Sequence, residues 1–338
     1  MPQIRPREAS AFGRCSYAAA RLLLTALAPL AALPVVAQSY PDKAIRMVVP
    51  FPPGGGVDAT ARMIGKRLSD AFGQPVLIDN RPGANGSIGA GAVTKAPADG
   101  YTLLFADRGA FGVNPSLYKK LAYDPLKDFA YIGIATWSPY VLVAAGSLPV
   151  KDLAQMVPYA KQNACKLNYA SFGIGSMAQM GMESLNAHYG TCISHVPYKG
   201  GGPAVMATVG GEVQFTLSTI AAVLPHIKDG RLKALAVGAP NRSPLLPQTP
   251  TVAESGGQPD LLPQTYFGFA LPANTPAPIV ARLGEEIRRI VGIAEVRDSL
   301  MKGGFEPADV SAESMARTVK EDVARFARLA QTIGIQPE

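Results

Sequence analysis

Two hydrophobic periods share this chain, one suited to strands and one to helices. The run Ile45-Arg46-Met47-Val48-Val49 is apolar and β-branched, which predicts a buried strand. Pro50, Pro52 and Pro53 remove backbone donors and end it. Gly54-Gly55-Gly56 lets the main chain turn tightly before a helix that begins near Asp58, and Ile64, Leu68 and Phe72 then recur at helical spacing. Pro75 to Asp79 predicts the next strand, Asn80 to Gly86 a turn, Ile88 to Lys95 a short helix and Tyr101 to Ala106 a third strand. This βαβαβ order calls for a parallel sheet with right-handed crossovers.

The second half repeats the plan. Two apolar runs flank Trp137-Ser138-Pro139, which suggests a strand leaving one domain for another. Leu167 to Ser171 reads as a strand, Phe172 to Gly175 as a turn, and Ser176 as the start of a helix with Gln179 at capping-box spacing. His195 to Tyr198 follows as a strand, Lys199 to Gly202 as its loop, and Pro203 as an opening helical residue. Val213 to Leu217 and Leu232 to Val237 add strands, and Gln264 to Leu271 reads as a return strand. Helices over 278–291 and about 312–333 close the chain, with the first domain as their expected support. The expected fold is therefore α/β, two domains in a clamshell with a parallel-rich sheet in each. Residues 38–140 and 265–338 would form domain 1, and 141–264 domain 2.

The N-terminus adds a compartment. Arg5, Arg7, Arg14 and Arg21 precede the apolar run Leu22 to Val36, and Val35-Val36-Ala37 offers small residues for cleavage. Residues 1–37 read as a signal peptide, too short in their apolar part for a membrane span of roughly 20 residues, and imply export to the periplasm. Their removal takes away four arginines and one glutamate, so the net charge of +7 falls to +4. With no basic block interleaved with aromatics, nucleic acid is not expected as a partner.

Of three cysteines, Cys15 lies in the leader, which leaves Cys165 and Cys192. CxxC spacing and Cys/His clustering are absent from the sequence, so nothing points to a metal, and no cofactor motif stands out. Cys165 immediately precedes a strand taken to begin at Lys166, and Cys192 one taken to begin at Ile193, the two parallel strands of one βαβ unit. Adjacent parallel strands lie about 4.8 Å apart, within the roughly 4.4–6.8 Å that a disulfide accepts between Cα atoms. A Cys165–Cys192 bridge is expected at the strand ends away from the glycine loops.

Candidate chemistry gathers at those loops. A glycine turn running into a helix start presents unpaired N–H groups and a positive dipole end, which suit a carboxylate or phosphate. No Gly-Lys-Ser/Thr follows Gly56, which disfavours phosphate chemistry. Arg108 is able to grip a second carboxylate bidentately, or to pair internally with Asp107. A hydrolase would need a nucleophile, and Ser176 with His188, His195 or His226 offers little: the glycine pattern is not a G-x-S-x-G elbow, and Ser176 suits a cap.

Several motifs resemble one known family. They are Phe51-Pro52-Pro53-Gly54-Gly55, Asn80-Arg81-Pro82-Gly83-Ala84, Asp99-Gly100-Tyr101-Thr102-Leu103-Leu104, and Asn114-Pro115-Ser116-Leu117-Tyr118. They continue with Leu167 to Ser171, His195-Val196-Pro197-Tyr198-Lys199-Gly200, Leu224-Pro225-His226-Ile227 and Pro250-Thr251-Val252-Ala253-Glu254. In order and spacing the set resembles the Bug family of extracytoplasmic solute receptors for tripartite tricarboxylate transporters. The resemblance implies a two-domain periplasmic receptor that closes on a small organic carboxylate and serves membrane permease subunits; a monomer without enzymatic activity is expected, and docking on a membrane sensor instead of a permease is the alternative. It implies ligand contacts at Phe51, Pro52, Gly54 and Gly55, at Arg108 and Gly109, at Gly173, Gly175, Ser176 and Met177, and near Ser218. Where the family carries small polar residues after the third strand, this chain has Asp107-Arg108-Gly109. Near 218, where acidic or amide side chains are common in the family, Ser218-Thr219 speak against an amino-acid ligand.

Overall fold

The structure is a computed structural model and describes Gln3 and residues 40–337 apart from positions 55, 259, 260, 263, 333 and 336. Apart from Gln3, the expected signal peptide, with its Cys15 and its cleavage point, lies outside the described residues. The chain from Lys43 onward forms one unit containing both sheets described here.

Its first stretch follows the hydrophobic pattern: β1 (Ile45–Val49), α1 (Gly56–Phe72), β2 (Val76–Asn80), α2 (Ser87–Thr94) and β3 (Thr102–Asp107). β1 pairs in parallel with both β2 and β3. β4 (Phe129–Ser138) stays in this sheet, whereas β5 (Tyr140–Ala145) belongs to the second, so the crossing falls at Pro139. The second sheet develops through α3 (Leu153–Gln162), β6 (Leu167–Ser171), α4 (Met177–Tyr189), β7 (Ile193–Pro197), α5 (Gly201–Val209), β8 (Phe215–Thr219), α6 (Ile220–Lys228) and β9 (Leu232–Gly238). The chain then returns through β10 (Thr265–Pro272) and ends with α7 (Ala277–Gly292), α8 (Ala294–Lys302), β11 (Glu306–Pro307) and α9 (Ala312–Thr332).

Strand order is β11-β4-β10-β3-β1-β2 in the first sheet and β7-β6-β8-β5-β9 in the second. Each sheet has a parallel half, built from βα units as expected, and an antiparallel half built from the crossing strands. The reason is directional. β4 leaves the first sheet at the end where β10 enters it, with Ser138 opposite Thr265, so the two must run antiparallel. The same logic sets β5 against β9.

α7 buries Leu283, Ile287 and Ile290, and α9 buries Met315, Val319, Phe326 and Ala330. Both pack on β4 of the first sheet. The last turns of α9 also join an apolar cluster with Val113, Leu117, Tyr140 and Met180, which ties the second sheet's core to the first half. Three helices were not legible in the hydrophobic pattern: α3, α6 and α8. Pro158 and Pro225 sit inside the first two, and an interior proline removes one i→i−4 bond, a loss that tertiary packing offsets here.

Cys165 and Cys192 are bridged, with Cα atoms 4.7 Å apart. β6 and β7 are parallel neighbours in the register Leu167↔Ile193, and Cys165 N donates to Cys192 O at 2.9 Å. The bridge lies at the strand N-termini, opposite the glycine loops.

Candidate functional site

Loop Phe51–Gly54 leaves the C-terminal end of β1 and is held from beneath. Asn80 Nδ2 donates to Phe51 O (3.0 Å) and to Asp58 Oδ1 (2.9 Å), while Gly54 N donates to Asp58 Oδ2 (3.0 Å). Arg62 Nε donates to the same carboxylate at 2.9 Å. Burial alone pushes Asp58 up, but hydrogen bonds from Arg62, Gly54 and Asn80 together hold it below its ordinary value. Asp58 is thus an internal anchor at the helix start. Pro52 and Gly54 are exposed, and Gly55 lies outside the described residues.

At the end of β3, Asp107 accepts a hydrogen bond from Ala110 N at 3.1 Å. Burial pushes its carboxyl up to about 6, against the opposing pull of the backbone N–H groups of Ala110 and Gly109. Gly109 opens a π-helical turn, Gly109–Val113. A Cβ on Gly109 would lie 3.0 Å from Asp107 Oδ1 and 3.1 Å from Asn85 Nδ2, so glycine permits this close approach. Asn85, Asn114 and Tyr123 brace the turn, Asn85 donating to Asn114 at 2.8 Å and Tyr123 OH donating to Ala110 O.

The structure commits Arg108, expected to reach a second ligand carboxylate, inside the fold. Its Nε and one terminal nitrogen donate to the two oxygens of Asp322 on α9 (2.8 and 2.5 Å), and its other terminal nitrogen donates to Gln264 O. The guanidinium also lies over the rings of Tyr266 and Phe326. Sequence neighbours suggested Asp107 as an internal partner, yet the carboxylate that pairs with Arg108 is 214 residues away. No local pattern could have signalled it.

In the second half, the loop after β6 is closed by its own side chains. Ser176 caps α4, receiving Gln179 N, and Gln179 Oε1 receives Gly175 N at 2.6 Å. This is the capping box read from the sequence, shifted by one residue on its return bond. Ser171 Oγ meets Gly173 O (2.9 Å), Gly173 N (3.2 Å) and His195 Nε2 (2.6 Å). Among the described residues, no hydrogen bond links Ser176 to a histidine, and His226 Nδ1 lies 2.7 Å from Arg231.

Two contacts bring these groups together. Gly175, at φ 75°, lies so close to Leu117 that a Cβ would come within 2.3 Å of Leu117 Cδ1. The second-half loop therefore rests on the segment that follows the Gly109 turn. Phe51 meets Phe267 edge-on (6.3 Å), Phe267 meets Phe305 (5.7 Å), and Gly304 lies against Ile220 and Ala221, just beyond Ser218. Ser218 and Met177 are buried. Phe267 and Phe305 were missed from sequence, since an aromatic in an apolar strand, as at 267, or just past the turn after a helix, as at 305, carries no positional signal. A cavity of about 750 Å³ lies beside the crossing segments, between Trp137, Pro139, Leu245, Gln264, Met301 and Phe305. None of the expected ligand contacts lines it.

Known proteins bear on this arrangement. The family described as "Tripartite tricarboxylate transporter family receptor" matches residues 60–335. The protein BugT of Bordetella pertussis is 34% identical over 304 residues, 90% of this chain and 93% of BugT. A solved structure of Rpa4515 from R. palustris with adipate is 35% identical and covers 88% of this chain and 100% of that one, with a TM-score of 0.83. MatC from Rhodopseudomonas palustris with bound malate is 33% identical over 86% of this chain and 99% of that one, with a TM-score of 0.77. The anchored glycine loops thus sit in a scaffold shared with carboxylate-bound proteins, and the chain belongs to the tripartite tricarboxylate transporter receptor family, whose members are solute-binding receptors rather than enzymes.

Proposed function

We propose that this chain is a periplasmic receptor that binds a small organic carboxylate between its two sheets and delivers it to the permease subunits of a tripartite tricarboxylate-type transporter. In this reading residues 1–37 are a removed signal peptide and the working form is a monomer. Residues 38–140 with 265–338 form one lobe, and residues 141–264 the other. The observation that carries the proposal is that Phe51–Gly54, the Gly109 turn and Gly173–Met177 each follow the C-terminal end of a strand, with Gly175 resting on Leu117 just past the Gly109 turn. The adipate and malate bound by two relatives support the ligand class.

Several amides at these loops already have partners: Gly54 on Asp58, Gly173 on Ser171 and Gly175 on Gln179. Ligand recognition in this reading falls on the remaining loop donors and on ordered water. Protein unfolded and refolded to strip bound solute should gain thermal stability from one class of carboxylate in a panel of mono-, di-, tri- and aromatic acids. A panel that leaves the melting temperature unchanged, while the refolded protein is native by circular dichroism, would overturn the carboxylate reading.

A further inference from the structure

We propose that His195 is a positioning residue for the Phe172–Ser176 loop, acting as an Nε2–H donor that commits the Ser171 hydroxyl to Gly173. Its relevance to binding rests on the reading of that loop as a ligand loop. The argument is one of valence. Ser171 Oγ has one proton and two lone pairs. It has three partners within hydrogen-bond distance: Gly173 O at 2.9 Å, Gly173 N at 3.2 Å and His195 Nε2 at 2.6 Å. The carbonyl can only accept and the amide N–H can only donate. All three contacts are hydrogen bonds in a single way: the hydroxyl proton goes to Gly173 O, which also accepts Ser176 N at 3.2 Å, and the two lone pairs receive Gly173 N–H and His195 Nε2–H. Ser171 is fully buried, so bulk water is no substitute.

The imidazole is held for this task. Its ring stacks on Tyr169 at 5.0 Å with planes 22° apart, and Tyr169 OH donates to Glu183 Oε1 on α4 at 2.6 Å. One hydroxyl thus grips both polar backbone groups of Gly173, a residue at φ 128°, at the head of the loop that rests on Leu117. The loop is set before a ligand arrives, which lowers the ordering cost of binding. The same assignment removes Ser171 as a nucleophile, because a protonated Nε2 has no lone pair to take its proton.

It also predicts insensitivity to pH. Burial lowers the basicity of His195 and Glu183 opposes this, but Nε2–H donates in both the neutral and the protonated ring. Among the described residues, Glu183 from α4 favours the charged ring, and Tyr169 from β6 stacks on it.

Nitrogen-15 NMR of the intact protein tests the assignment. The neutral ring of His195 should carry its proton on Nε2, and Gly173 amide exchange, corrected for intrinsic rates, should stay constant from pH 5 to 8. His195→Leu should speed exchange at Gly173 at least tenfold and change Gly175, held by Gln179, much less. His195→Gln, whose amide also donates, should restore protection. A proton on Nδ1, or full protection in His195→Leu, overturns the proposal. If that variant does not fold, the wild-type tautomer decides. Adipate serves as the binding probe: faster Gly173 exchange with unchanged adipate affinity supports positioning and removes the loop from the ligand site. A wild type that ignores adipate excludes adipate as the ligand and leaves the exchange data to decide the assignment.

Discussion

Asp107 is buried at the end of β3, and its folded-state value of about 6 lies above the 3.8 of an exposed aspartate. Between those values the native protein keeps a proton that the unfolded chain has released. Stability from this group is therefore complete below about pH 4 and lost as pH rises through about 6. Asp107→Asn keeps an acceptor for Ala110 N and cannot ionise. It should be more stable than wild type at pH 7, by up to about 3 kcal/mol, with the gap closing near pH 4. Urea melts at both pH values check this, and an equal gap at both would sink it. Arg108 and Asp322 face the opposite problem. Arg108→Ala leaves a carboxylate only 3% exposed without its partner, a change that costs about 3–5 kcal/mol. The paired replacement Arg108→Met with Asp322→Leu should recover most of that loss. If Arg108→Ala instead leaves stability intact and weakens only dicarboxylate binding, the guanidinium is a ligand arm after all.

At the level of elements, two devices hold the candidate loops. Gly54 and Gly175 both adopt positive φ, at 88° and 75°, but only Gly175 has a neighbour within reach. Alanine at 54 should cost about 1 kcal/mol of backbone strain. At 175 it must also displace Leu117, so the loss measured by denaturation should be larger by about 1–3 kcal/mol. Equal costs would mean that the loop does not rest on Leu117 in solution. The Cys165–Cys192 bridge closes a 27-residue separation and should contribute about 3 kcal/mol. Replacing both cysteines by alanine should lower the urea midpoint while carboxylate affinity stays constant, because the bridge is at the strand ends away from the loops. A matched loss of affinity would show that the two ends of the second sheet are coupled.

For the whole molecule, the crossing strands matter most. Trp137 is the single tryptophan of the chain; it stands two residues before the crossing at Pro139 and packs edge-on against Tyr266 at 5.3 Å. If a carboxylate closes the two lobes, that ring changes surroundings, and its emission should shift on saturation. Bound ligand with unchanged emission would place the motion elsewhere or exclude it.

Much of this was legible in sequence because it is local. The strands of each βα unit follow from apolar runs ended by proline and glycine, the Ser176–Gln179 cap from spacing, and the disulfide from two cysteines at equivalent strand starts. α3 and α6 were hidden because interior prolines oppose helix locally and only packing overcomes that opposition. The order and direction of the crossing strands, the Asp322 partner of Arg108, the contact of Gly175 with Leu117 and the Phe51–Phe267–Phe305 chain join residues far apart in sequence. The sequence by itself determined the strands of the βα units, most of their helices and the family. Tertiary structure decided which charges are spent inside the fold and which loops touch, because pairing and desolvation depend on distances that no local pattern encodes.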